Sequence, residues 1–180
     1  MILQNNSVTS ASILLLFSPV ITLTARAEIY MTGEEAAKVL FPGQIFKKHN
    51  IELSNDEKNK IQKLSDTQLK SKNTTLLVSG EGNVVFLDQV IGKHEQISFA
   101  VGITNEAKVK GIEILEYRES YGHQVRREEW RKQFVGKDKN STLKNNQDIK
   151  NISGATLSSN HITDGVRRIL QTYELIKKRL

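Results

Sequence analysis

A cluster of hydroxyl side chains precedes the last helical stretch of the sequence, and its residue types suit the binding of a phosphate group. It is the run Ser153-Gly154-Ala155-Thr156-Leu157-Ser158-Ser159. The first amides of a helix lack intrahelical acceptors and lie at the positive end of the helix dipole, so a phosphate binds there readily. The same hydroxyls also favour helix N-caps in proteins that bind no ligand. The run therefore indicates either a phosphate site or an ordinary helix start.

Two further segments lie upstream of this run, and together with it they resemble the FMN-binding domain family. Ser153-Gly154-Ala155-Thr156 is similar to the family's flavinylation motif Ser-Gly-Ala-Thr. Glu119-Ser120-Tyr121-Gly122 is similar to its Glu-Thr-Pro-Gly loop, and Trp130 with Gln133-Phe134-Val135-Gly136-Lys137 is similar to its Trp-x-x-Gln-Phe-x-Gly-Lys run. The three segments occur in the family's order, and the resemblance spans residues 80–180.

The resemblance implies a cofactor, an attachment residue and a set of partners. In the family the motif's last threonine carries FMN through a phosphoester bond, which here falls on Thr156. The implied cofactor-binding residues are Ser153, Gly154, Ala155, Thr156, Leu157 and Ser158 in the motif and Glu119, Tyr121 and Gly122 in the upstream loop. The family includes periplasmic flavin subunits of the sodium-pumping NADH:quinone oxidoreductase and of the Rnf complex. We therefore expect an electron-transfer flavoprotein, loaded by a flavin transferase and served by a membrane or periplasmic redox partner, rather than a substrate-specific enzyme.

Two positions depart from the family's pattern. Lys150 stands three residues before Ser153, where the family usually has an aspartate that the transferase reads, and Asp148 lies two residues earlier. Tyr121 replaces a common proline and adds an aromatic ring able to stack on a flavin. The residues thus leave two interpretations open: an electron carrier with covalent FMN, or a secreted non-redox module that holds non-covalent FMN or another phosphate-bearing ligand.

The composition excludes several other kinds of site. The chain has 180 residues and no cysteine, so thiol redox chemistry and thiolate metal sites are excluded. Its four histidines lack metal-ligand spacing, and no Gly-x-Ser-x-Gly elbow marks a hydrolase nucleophile, so we predict neither a metal site nor a catalytic residue. The formal net charge is +6, but the basic residues are interspersed with acids, so we expect no nucleic-acid partner. The charge suits an acidic redox partner or an anionic membrane face.

The first 27 residues resemble an export signal. An apolar run over residues 13–21 is too short for a clear membrane span and leads to Ala25-Arg26-Ala27, an Ala-x-Ala-like cleavage site. Residues 1–7 contain no lysine or arginine, so the segment is either removed or kept as an anchor. We expect a periplasmic protein that is membrane-associated if the segment is kept.

Hydrophobic patterning predicts an α+β fold. Capping boxes at Thr32 and Ser54 predict two helices in residues 28–73, a small helical N-terminal extension. Short runs of β-branched and aromatic residues predict four antiparallel strands over residues 74–79, 84–91, 96–104 and 108–119. Residues 158–180 then predict an amphipathic helix, and we expect Trp130 and Phe134 in the core. Residues 74–180 form the predicted FMN-binding domain, a twisted antiparallel sheet covered by helices.

Overall fold

One antiparallel sheet forms the centre of the molecule in the computed structural model, which describes residues 28–119 and 122–180. The strand order is β1-β6-β5-β4-β3-β2, and each neighbouring pair is antiparallel. The strands are β1 (Glu28–Ile29), β2 (Phe46–Glu52), β3 (Asn73–Ser79), β4 (Val84–Ile91), β5 (Gln96–Ile103) and β6 (Val109–Tyr117). The four strands predicted after residue 73 are confirmed, and with them the antiparallel α+β class.

Four α-helices surround this sheet in the described part of the chain. They are α1 (Gly33–Leu40), α2 (Asn55–Ser65), α3 (Glu128–Arg131) and α4 (Thr156–Ile176). Both predicted capping boxes are present, because the Thr32 and Ser54 hydroxyls accept from the amides of Glu35 and Glu57 while those carboxylates accept from the cap amides in return. The predicted starts of α1 and α2 are therefore confirmed.

The N-terminal segment also contributes two strands that the sequence did not predict. β2 has the sequence FKKHNIE, and its middle residues are exposed. It lies at an edge of the sheet, where lysines on a strand oppose pairing with other chains, so it lacks the alternation that marks a half-buried strand. β1 has two residues and pairs with the end of β6 at the opposite edge, too short a segment for any periodic signal.

The main core lies between the sheet and α4. The predicted apolar stripe of this helix is buried as expected, and its members are Ile162, Val166, Ile169, Leu170, Tyr173 and Ile176. Arg167 on the same helix is also buried, and its guanidinium donates to the carbonyl oxygens of Ser65 at 2.6 Å and Leu143 at 2.5 Å. These bonds fix the middle of α4 to the end of α2 and to the loop that precedes the helix.

The second face of the sheet is covered by α1. Ala36, Ala37, Leu40 and Phe41 pack there against four strand residues of this face: Leu77, Val85, Ala100 and Leu115. Alternation of apolar and polar residues along β6 is typical of a sheet with one buried face, but both faces are covered here. The short helix that follows β1 adds a small second core because its own apolar side chains need cover.

Two predictions made from the sequence fall on residues that the structure does not describe. The predicted export segment, residues 1–27, lies outside the described residues, as does Tyr121. Within residues 28–119 and 122–180, no helix is both long and apolar enough to cross a membrane.

Candidate functional site

A cavity of about 440 Å³ opens where α4 begins, beside the end of β6 and the turn between β4 and β5. Its lining residues come from three segments: Lys93, His94 and Glu95; Arg118 and Glu119; and Gly154, Ala155, Thr156, Leu157 and Ser158. The volume falls in the range of about 300–1,000 Å³ that is typical of small-molecule sites. The fold thus brings the predicted motif and Glu119, the first residue of the predicted upstream loop, together at one cavity.

The first turn of α4 presents an open helix N-terminus to this cavity. Thr156 is the first helical residue and is exposed, and no side chain caps the helix at Ala155. Both α1 and α2, in contrast, have complete capping boxes. Uncapped first-turn amides keep their hydrogen-bonding capacity for an anion such as a phosphate.

The three serines of the motif have different environments. Ser153 is exposed and does not line the cavity. Ser158 is 4% exposed, and its hydroxyl lies 3.1 Å from the phenol oxygen of Tyr117. Ser159 is fully buried and donates to the side-chain oxygen of Asn151 at 2.6 Å. Thr156 is therefore the motif hydroxyl that stands at the mouth of the cavity.

Gly122 lies beneath the start of α4 rather than in the cavity wall. Its φ of +94° is in the left-handed region, and a Cβ atom there would come within 2.3 Å of the Tyr117 phenol oxygen and 3.0 Å of the Ser158 hydroxyl. A side chain at this position would therefore displace Tyr117 and Ser158. Burial raises the pKa of Tyr117, which keeps the phenol neutral against Ser158.

Glu119 lines the cavity, but its carboxylate is occupied by the protein backbone. One oxygen accepts from the amides of His94 at 2.5 Å and Glu95 at 2.9 Å, so Glu119 holds the β4–β5 turn against the end of β6. Burial raises the pKa of this carboxyl, but the amide donors outweigh it and the net pKa is lowered. The described contacts of Glu119 make it an anchor of the β4–β5 turn and do not by themselves make it a flavin contact.

Three basic side chains around the cavity were not identified from the sequence. Lys93 and His94 are exposed on the β4–β5 turn, and Arg118 is exposed just after β6, where it pairs with Glu116 at 2.9 Å. Glu95 and Glu119 line the same cavity and offset the charges of Lys93 and Arg118, so the open helix N-terminus is the main feature that suits an anionic ligand. The sequence does not mark Lys93 and His94 as site residues, because only the sheet topology places the β4–β5 turn beside α4.

The tryptophan segment supports the chain just ahead of the motif. Trp130 and Phe134 are buried, as predicted, with ring centroids 5.1 Å apart. The Trp130 indole donates to the Lys150 carbonyl at 3.0 Å, and the Gln133 side-chain oxygen accepts from the Lys150 amide at 2.7 Å. Both backbone groups of Lys150 are therefore fixed while its side chain is exposed. The residues of this run position the motif, a role we had not predicted for them.

Asp148 serves the preceding loop and not the motif. Its carboxylate accepts from the Lys137 ammonium at 3.0 Å and from the amides of Leu143 at 3.0 Å and Lys144 at 2.9 Å. Burial raises the pKa of this carboxyl, and these donors lower it further than burial raises it. Asp148 therefore closes the loop of residues 137–148, and its described bonds do not reach Thr156.

A larger cavity of about 1070 Å³ lies between the segment after α2 and the end of β4. His161 contacts the Ile91 carbonyl at 2.5 Å on its border, and Arg168 pairs with Asp88 at 2.7 Å. No residue predicted for the site lines this cavity. We therefore assign the functional site to the smaller cavity, where motif, helix N-terminus and basic side chains coincide.

Comparison with known proteins finds a family whose model matches the part of the chain that contains this cavity. Residues 92–171 match the family model of the FMN-binding domain. The matched range contains every residue that lines the smaller cavity and all three segments noted in the sequence. A search of curated proteins finds no match to the chain. An exposed hydroxyl, an uncapped helix start and basic side chains fit the phosphate of such a cofactor.

Proposed function

We propose that this protein is an exported flavoprotein that carries FMN on Thr156 and exchanges electrons with a membrane redox system. The proposal starts from the match of residues 92–171 to the FMN-binding domain, which indicates FMN as the cofactor. The observation that carries the proposal is the exposed Thr156 hydroxyl at the open start of a 21-residue helix, on the wall of a cavity of about 440 Å³. No other motif hydroxyl has both exposure and a place in that wall.

The residues around the cavity have separate tasks in this proposal. Thr156 supplies the oxygen of a phosphoester bond, and the first amides of α4 stabilise the phosphate. Lys93 and Arg118 add positive charge at the rim. When bound, FMN supplies the reversible uptake of electrons, while the chain holds and orients it.

Loading belongs to a separate flavin transferase. The Thr156 hydroxyl is bonded to the side-chain amide of Asn151 at 3.2 Å, and an amide is no base. The Glu119 carboxylate of the same cavity is engaged by backbone amides. The described hydrogen bond of the Thr156 hydroxyl joins it to the Asn151 amide and not to a carboxylate or an imidazole, so we expect an outside enzyme to supply the base that takes the hydroxyl proton. The exposure of Thr156 makes it accessible to such an enzyme.

The open side of the cavity supports the proposal of electron exchange with a protein or membrane partner. Lys93, His94 and Thr156 are exposed, and Leu157 is 45% exposed. A carrier needs one accessible edge of its cofactor, whereas a substrate-specific enzyme encloses its reactants to exclude water. This arrangement supports a carrier.

The attachment residue is tested by substitution of Thr156. Thr156→Val keeps the shape of the side chain and removes its oxygen, so the FMN-sized mass increment found in wild-type protein from cells with a flavin transferase should disappear. Thr156→Ser is the matched control, because it keeps the hydroxyl and should keep the increment. An increment that persists in the valine variant would show that FMN is attached elsewhere.

A second function is favoured by one observation, the exposed lysine at position 150 where relatives usually carry an acid. In that case the protein is a secreted module that holds FMN, or another phosphate-bearing ligand, without a covalent bond or redox turnover. The two functions separate on denaturation of protein co-expressed with a transferase. Covalent FMN stays with the precipitated chain, whereas bound FMN is released.

A further inference from the structure

The side chain of Thr156 is held by one specific hydrogen bond. Asn151, five residues earlier in the loop, donates its side-chain amide to the Thr156 hydroxyl oxygen at 3.2 Å. Thr156 otherwise lies in the exposed first turn of α4, where a threonine commonly divides between two χ1 rotamers. This bond selects the rotamer whose oxygen faces Asn151.

Asn151 is itself fixed by a network that reaches into the core. Its side-chain oxygen accepts from the Ser159 hydroxyl at 2.6 Å and from the Asn145 side-chain amide at 3.3 Å. Ser159 is fully buried, and Asn145 in turn accepts from Thr163, which is 1% exposed. The chain of bonds thus runs from the buried side of α4 through Asn145 and Asn151 to the exposed oxygen of Thr156.

We propose that Asn151 is a positioning residue for flavin attachment, because with Ser159 behind it this side chain fixes the Thr156 hydroxyl in the orientation that a flavin transferase needs. The proposal rests on the proposed function of Thr156. Asn151 makes no contact with the flavin in this role. It raises the fraction of protein molecules in which the attacking oxygen is already in place, and it does so at a site whose usual acid is replaced by Lys150.

The attachment step balances without any group that Asn151 must supply. A bond forms between the Thr156 oxygen and the phosphorus of an activated flavin nucleotide, and the bond from that phosphorus to its leaving nucleotide breaks. The hydroxyl proton passes to a base of the transferase, and nothing is oxidised or reduced. Because Asn151 donates to the oxygen, it leaves the hydroxyl hydrogen free to point toward that base.

The test compares loading rates of purified variants with a flavin transferase and flavin adenine dinucleotide, followed by intact mass. Asn151→Ala should load about tenfold more slowly than wild type, within the range that a small misplacement of a reacting atom produces. Ser159→Ala should show a similar loss. Since Ser159 is fully buried, it cannot touch the transferase, and its effect therefore reports positioning rather than recognition. Wild-type rates in both variants would overturn the proposal.

Two matched controls separate positioning from general destabilisation. Thr172→Ala removes another buried hydroxyl of α4, which donates to the Arg168 carbonyl at 2.9 Å and takes no part in the network. Asn160→Ala removes the amide of the residue next to Ser159. Both controls should load at the wild-type rate. Slow loading in Thr172→Ala to the same degree as in Ser159→Ala would assign the effect to stability and overturn the proposal.

A readout without flavin makes the proposal independent of loading. Three-bond couplings from the Thr156 methyl carbon to the backbone nitrogen and carbonyl carbon report its χ1 rotamer in the free protein. Wild type should show the values of one rotamer, and Asn151→Ala should show averaged values. If wild-type protein acquires no FMN while this contrast is present, covalent attachment is wrong but the positioning of Thr156 stands. Averaged couplings in wild type overturn the positioning.

Discussion

At the scale of single residues, Glu119 shows how a motif acid can act on the fold and not on the ligand. Its carboxylate accepts two backbone amides of the β4–β5 turn, and that turn supplies Lys93 and His94 to the cavity. A charged carboxylate accepts such bonds more strongly than a neutral amide does. Glu119 therefore determines where the basic wall of the cavity stands.

Replacement of Glu119 by glutamine should lower the free energy of unfolding at pH 7 by about 1 kcal/mol, because glutamine keeps an acceptor oxygen but loses the charge that strengthens these hydrogen bonds. The folded pKa of Glu119 is lowered, so its stabilisation is present above the ordinary carboxyl pKa of about 4.3 and is lost as the pH falls through the lower folded value. Urea unfolding at pH 7 and at pH 3 checks this. The gap between wild type and Glu119→Gln should be smaller at the lower pH, while the exposed control Glu106→Gln should show no gap at pH 7.

At the scale of elements, the start of α4 is held from below by the segment that follows β6. Gly122 has a φ of +94°, and a Cβ atom added there would clash with the Tyr117 phenol oxygen. Gly136 has a φ of +77°, and a Cβ atom added there would have no neighbouring atom within 4 Å. Gly136→Ala should cost about 1–2 kcal/mol for the left-handed backbone alone. Gly122→Ala should cost about 1–3 kcal/mol more, because the methyl group must displace Tyr117 and Ser158. Equal midpoints in urea for the two variants would contradict this packing.

The same elements show what the sequence could and could not predict. The strands after residue 73, the two capping boxes and the apolar stripe of α4 were predictable because each has a local periodic or capping signal. β2 could not be predicted, because it is held by pairing with β3 at the edge of the sheet and its sequence shows no alternation of apolar and polar residues. The roles of Trp130 and Gln133 were also missed, since their bonds to Lys150 join residues that only the folded chain brings together.

At the scale of the whole molecule, the charge balance bears on the partner. The formal net charge is +6, and the mouth of the cavity has Lys93, His94 and Arg118 around it. Glu95 and Glu119 line the same cavity, so the attraction of an acidic redox partner rests on the net charge of the whole molecule, and salt screens it over about 10 Å at 0.1 M.

The rate of electron exchange with that partner should therefore fall as the ionic strength rises. Stopped-flow reduction at several salt concentrations measures this dependence. Lys93→Gln should flatten it more than Lys60→Gln does, because Lys60 lies on α2 and is not part of the cavity rim although it carries the same charge. If both variants show the same salt dependence, the partner does not dock at the cavity rim.

We propose that FMN is attached to Thr156 at the open start of α4. Peptide mapping of the loaded wild-type protein tests this attachment site. Trypsin cuts after Lys150 and Arg167, so one peptide, residues 151–167, contains the whole motif. We predict an FMN-sized increment on this peptide, with fragment ions that place it on Thr156 and leave Ser153, Ser158 and Ser159 unmodified. An increment on one of those serines, or on another peptide, would contradict the account, as would flavin that leaves the chain on denaturation.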